Sequence, residues 1–186
     1  MLNRGPRAMA LCGAGILVAG VVGLNVYQHI GPRTVELGAS WAEHYSTVQT
    51  LGAHSDIAVA GQFSNIVKQY SDPSTEIPYS DFGFTVESIV SNPGGLAIAS
   101  GTVITVHQTG GSSGNIKFEV GDDPLFQVGS RYVLFLRQYQ PGYFFVVGGP
   151  GGRYNWDSTG MVTSFNSESI SLNQSLSNLQ ASVATP

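Results

Sequence analysis

Apolar and polar residues follow one another in three different ways along this chain, and each way predicts a different kind of element. The first has no alternation: residues 8–27, AMALCGAGILVAGVVGLNVY, hold no charged side chain. A helix needs about 20 apolar residues to cross the hydrocarbon core of a bilayer, so this run predicts an N-terminal transmembrane helix acting as a signal anchor. The second pattern has a helical period. Ser40 stands three residues before Glu43, the spacing of a capping box, and Trp41, Tyr45, Val48 and Leu51 then share one face. A short helix over 40–51 follows, packed on whatever comes next.

From Asp56 the period is two, the mark of half-buried strands. Ile57 and Val59 alternate in DIAVAGQF, with Gly61 placed for a bulge or a close backbone approach. Phe82, Phe84 and Val86 share a face in DFGFTVESIV, as do Ile104 and Val106 in GTVITVHQ, and Ile116, Phe118 and Val120 in IKFEV. In RYVLFLRQ the run from Tyr132 to Leu136 is apolar without a break, which predicts a central strand covered on both faces. Gln140-Pro141-Gly142 turns it back into YFFVVGG, and RYNW and MVTSF form a further hairpin around Asp157 to Gly160. Near the C-terminus Leu172, Leu176, Leu179 and Val183 return to a helical spacing and predict a short amphipathic helix.

Charge orients the first element. Arg4 and Arg7 precede the apolar run, so residues 1–7 are expected in the cytoplasm and everything downstream outside it, in a single-pass protein of the cell membrane. The alternative is secretion after cleavage near Val21-Val22-Gly23. The only cysteine, Cys12, lies inside the run, so the exported part has neither a disulfide nor a thiolate and must be held by its core. Six basic residues against twelve acidic ones give that part a net charge of −6, which opposes nucleic acid as a partner.

Local catalytic and metal-binding motifs are missing. His29, His44, His54 and His107 show no ligand spacing, which predicts no metal site. Gly121-Asp122-Asp123-Pro124 lacks the pattern of a calcium loop and reads as a solvated turn. The glycine-rich stretch 148–152 lacks a phosphate-loop pattern and reads as a corner between strands, and no G-x-S-x-G occurs. No cofactor and no enzymatic activity are expected. The candidate ligand surface is the aromatic set Tyr139, Tyr143, Phe144, Tyr154 and Trp156 with Arg153 beside it, because rings with polar tips suit sugar or protein contacts.

Taken in order, SDIAVAGQFSNIV, FGFTVESIV, GTVITV, FEVGDDPLFQVGSRYVLFL and YFFVVGG resemble the netrin/tissue-inhibitor-of-metalloprotease type of OB-like barrel, over Ser55 to Gly149. The resemblance implies the barrel. The protease inhibitors of that family act through a free N-terminal cysteine, and this stretch has no cysteine, so inhibition does not carry over. The expected fold class is therefore mainly β: an N-terminal transmembrane helix followed by a small antiparallel OB-like β-barrel with short flanking helices. The expected divisions are a transmembrane segment 8–27, a juxtamembrane linker 28–55, a β-barrel 56–165 and a C-terminal helix and tail 166–186. The function that follows is a membrane-anchored extracytoplasmic binding or scaffold module. Its expected partners are the lipid bilayer through residues 8–27 and a surface protein or glycan. The alternatives are an exported hydrolase whose site converges only in three dimensions, and a carbohydrate-binding surface domain.

Overall fold

The computed structural model describes residues 33–38, 41, 43–71, 73 and 77–184, all within the unit Pro32–Pro186. Its strands are β1 (Arg33–Leu37), β2 (Ile57–Ser71), β3 (Pro78–Ser91), β4 (Val103–Thr109), β5 (Gly111–Ser113), β6 (Ile116–Val120), β7 (Arg131–Gln140), β8 (Tyr143–Val146), β9 (Arg153–Trp156), β10 (Met161–Ser164) and β11 (Asn173–Ser175). The helices are α1 (Val48–Ala53) and α2 (Leu176–Ala184). β2, β3 and β4 form an antiparallel meander, and β7 pairs with the other edge of β2. β8 then closes the ring, antiparallel to β7 and parallel to β4. The product is a closed five-stranded barrel with the strand order of an OB-like fold.

Period-two patterning fills this barrel. Ile57, Val59, Phe63, Phe82, Phe84, Ile104, Val106, Leu134, Leu136 and Phe144 all point inward and are buried. Aromatic contacts organise the interior: the Phe63 ring stacks on Phe126 at 4.2 Å and meets Phe84 edge-on at 4.8 Å. At Gly61 the β2–β3 register shifts, and a Cβ there would run into the Thr85 carbonyl and the Phe84 ring. Glycine is the residue that allows this bulge.

β7 explains its own unbroken apolar run. Tyr132, Leu134 and Leu136 face the barrel, whereas Val133 and Phe135 face a second core with Ala58, Ala60, Val147, Tyr154, Val162 and Leu179. One edge of β7 pairs with β2 over Arg131–Leu136, while the other pairs with β9 over Tyr132–Leu134 and with β8 from Leu136 on. β9, β10 and β11 thereby extend the sheet beyond the barrel. Val48 and Leu51 of α1 and Leu179 of α2 cover this second core. β1, β6 and β5 form a separate small sheet.

Three expectations are corrected. The fold class is mainly β around a five-stranded barrel, and the transmembrane helix is not part of it: among the described residues no helix is long and apolar enough to cross a membrane. α1 and α2 have six and nine residues, lengths of about 9 and 14 Å against a hydrocarbon core about 30 Å thick. The run 8–27 lies outside the described residues. The helix over 40–51 is shorter and later: α1 starts at Val48, capped by the Thr47 hydroxyl accepting from the Thr50 N–H. The Glu43 carboxylate, required by a capping box, is taken instead by Tyr45 and Arg137. Near the C-terminus, Asn173–Ser175 pair with β10 as β11, so the helix starts at Leu176.

Candidate ligand-binding face

The outer face of the barrel gathers an aromatic strip around one hydrogen-bonded aspartate–histidine pair. Inward-facing Ile104, Val106 and Gln108 leave Thr105, His107 and Thr109 of β4 pointing outward. The β3–β4 register sets Asp81 opposite His107 and Tyr79 opposite Thr109, and the parallel β4–β8 register sets Phe145 beside His107 and Tyr143 beside Thr105. Tyr70, at the far end of β2, pairs with Tyr79. A shift in register between Gln138 and Gln140 makes a bulge of β7 at Tyr139, and bulges re-aim side chains. The rings then run in sequence: Tyr70 to Tyr79 at 6.0 Å, Tyr79 stacked on His107 at 4.9 Å, His107 to Tyr139 at 6.1 Å and Tyr139 to Tyr143 at 6.0 Å.

Beneath the rings, Asp81 is buried, at 5% exposure, and its Oδ1 lies 2.8 Å from His107 Nδ1. With Nδ1 donating to the carboxylate, the imidazole lone pair belongs to Nε2. The Tyr70 hydroxyl lies 3.5 Å from the same Nδ1. Burial raises the Tyr139 phenol above its ordinary pKa, and the Asp81 charge adds to the rise, so Tyr139 remains a hydrogen-bond donor. Cations flank the strip: Lys68 sits 4.6 Å over the Tyr70 ring and Arg137 5.9 Å over Phe145. Arg137 is fixed by both Glu43 carboxylate oxygens, at 3.2 and 3.3 Å, and by the His54 carbonyl at 2.9 Å. The Tyr45 hydroxyl, with Arg137 second, holds Glu43 below the usual carboxylate range.

Of the residues singled out in the sequence, Tyr139 and Tyr143 lie together in this strip. The others are dispersed. Phe144, next to Tyr143, points the opposite way into the barrel core. Tyr154 lies in the second core, its ring 5.8 Å from Phe135, where burial pushes its phenol pKa up. Arg153 is buried at 2% exposure among Phe126, Tyr132 and Phe165. Trp156 lies on β9, half-buried under the Arg131 guanidinium at 3.7 Å. The turn at Asp122–Asp123 is not solvated: Asp123 is buried against Arg153, and Asp122 accepts the Trp41 indole N–H at 2.6 Å.

The sequence does not single out Tyr70, Tyr79, Asp81 or Phe145 as site residues, and it brings in His107 only as one of four histidines without ligand spacing. The signal was the outward parity of His107 with Thr105, which becomes informative only once Asp81 is known to pair with it. Among the described residues no group of three or more His, Cys, Asp or Glu side chains comes together for a metal ion. Chemically, the face offers stacking surfaces, phenol donors, a buried carboxylate and an oriented imidazole. No protein-family model matches the chain, and no curated protein does.

Proposed function

We propose that the protein is a saccharide-binding module whose ligand lies along the strip from Tyr70 to Tyr143. The observation that carries this reading is the row of rings at 4.9–6.1 Å intervals around a buried Asp81–His107 pair. The apolar faces of sugar rings stack on aromatic side chains, and their hydroxyls need donors and acceptors beside those rings. OB-like barrels use the face of their second and third strands for oligosaccharides and oligonucleotides, and β3 and β4 hold those places here. Charge favours the saccharide, because a net −4 chain with a carboxylate under the strip repels phosphates. Within OB-like folds, the strand motifs from Ser55 to Gly149 make a netrin-like barrel our reading of its kinship.

A panel of neutral polysaccharides in affinity gels tests the proposal. Wild type is retarded by at least one of them, and Tyr79→Ala or Tyr139→Ala each weakens binding by about 1 kcal/mol, roughly fivefold in Kd. Retardation by none of the panel would end the saccharide reading. The Asp81–His107 pair with a nearby Tyr70 hydroxyl favours a second reading, a hydrolase. In that case His107→Ala abolishes turnover of a nitrophenyl glycoside or ester, and the absence of any wild-type turnover disposes of it.

A further inference from the structure

Beside the strip lies a cavity of about 140 Å3, lined by Trp41, His107, Thr109, Phe126, Phe145 and Val146 with Gln108 and Asp123. His107 and Phe145 belong to both, so a ligand lying on the rings passes the mouth of the cavity. Its volume equals about four or five waters at about 30 Å3 each, and clefts that enclose whole small ligands start near 300 Å3. The cavity therefore fits one substituent of a ligand whose body lies outside.

The lining says which substituent. Trp41 is held in place by its indole N–H on Asp122 at 2.6 Å, and the ring rests on Gly149, where a Cβ would run into it. Gln108 is committed to the carbonyls of Asp123 and Pro124 and to the Phe126 N–H. Asp123 is committed to Arg153. What remains for a guest is apolar ring and Val146 surface, with Thr109 and His107 as the polar residues of the lining. The Asp81 carboxylate beside His107 opposes an anionic substituent, and a bare hydroxyl leaves the rings facing water. An acetamido group meets both demands: its methyl packs on the rings, and its N–H and C=O find His107 and Thr109.

We propose that this cavity holds the acetamido group of an N-acetylhexosamine unit in a saccharide bound along the strip. The proposal rests on the saccharide reading above and adds a specificity to it. Titration calorimetry of the full chain with chitohexaose and with cellohexaose separates the two, since these oligomers differ in carrying an acetamido group or a hydroxyl at the same ring position. Chitohexaose binds at least about tenfold tighter, the low end of what one methyl-sized group in an apolar pocket discriminates. Thr109→Leu, which fills the cavity and keeps the Trp41–Asp122 bond, lowers chitohexaose to the cellohexaose level and leaves cellohexaose unchanged. Equal wild-type affinities overturn the acetamido pocket and leave the saccharide reading standing. A preference that survives in Thr109→Leu overturns the pocket as well, and so does binding of neither oligomer, while the saccharide reading itself stands or falls with the polysaccharide panel.

Discussion

Arg153 shows how far a residue's place can depart from its composition. It is enclosed by three rings, with its guanidinium 3.8 Å from Phe165 and 4.4 Å from both Phe126 and Tyr132. It donates to the Pro124 carbonyl at 2.7 Å, the Tyr132 hydroxyl at 2.8 Å and Asp123 at 3.3 Å. Removing one partner of such a pair leaves a buried charge uncompensated. Arg153→Met is expected to destabilise the fold by about 3–5 kcal/mol, while the double variant with Asp123→Leu recovers most of the loss. Urea midpoints of the three proteins check this, and an unchanged midpoint in Arg153→Met contradicts it. Burial raises the Asp123 pKa above its ordinary 3.8, with Arg153 opposing the rise. A carboxyl raised in the fold adds stability that is fully present below its unfolded pKa and is lost as pH rises through its folded pKa. As pH falls through that raised value toward 3.8, wild type therefore gains stability relative to Asp123→Asn. A relative loss of wild-type stability on acidification reverses the assignment. Asp157 works in the other direction, because the Thr159 hydroxyl and the Met161 N–H lower its pKa, and its contribution is lost only as pH falls through that lowered value.

At the scale of elements, the sequence is clear wherever one strand's own pattern decides its place. The unbroken run in β7 predicts cover on both faces, and the structure supplies it with the barrel on one side and α1 and α2 on the other. Patterns that depend on a partner are opaque. Ser40 and Glu43 make a sound capping box in isolation, but Arg137, ninety-four positions further on, takes the Glu43 side chain and the cap moves to Thr47. The site divides in the same way. Tyr139 and Tyr143 belong to one hairpin, so their proximity is local, whereas Asp81 and His107 meet only through the β3–β4 register and Phe145 joins them through a parallel pairing. Phe144, Tyr154 and Arg153 stand near the surface rings in sequence, but parity within β8 sends Phe144 into the barrel, and Arg153 and Tyr154, on opposite faces of β9, are both buried because β9 is covered on each side. The helical cover carries real weight: Leu179 is fully buried, and Leu179→Ala is expected to cost about 2–5 kcal/mol. A urea titration that leaves the midpoint unmoved would show that α2 is dispensable to the second core.

For the whole molecule, the five-stranded barrel is a scaffold that brings β2, β3, β4, β7 and β8 to one outer surface. Closure matters to the site as well as to stability, because β8 supplies Tyr143 and Phe145 and touches β4 only after β7 has turned back. The second core beneath α1 and α2 holds β7 from the other side, and Tyr70 and Tyr139 of the strip are exposed. The central claim is that this strip is where ligand binds, and an amide-resolved NMR titration with a soluble neutral oligosaccharide that retards the protein tests it most directly. The account predicts that the largest shift changes fall on Tyr70, Tyr79, Asp81, His107, Tyr139 and Tyr143. Changes confined to α1 and α2, with these six unmoved, would contradict it.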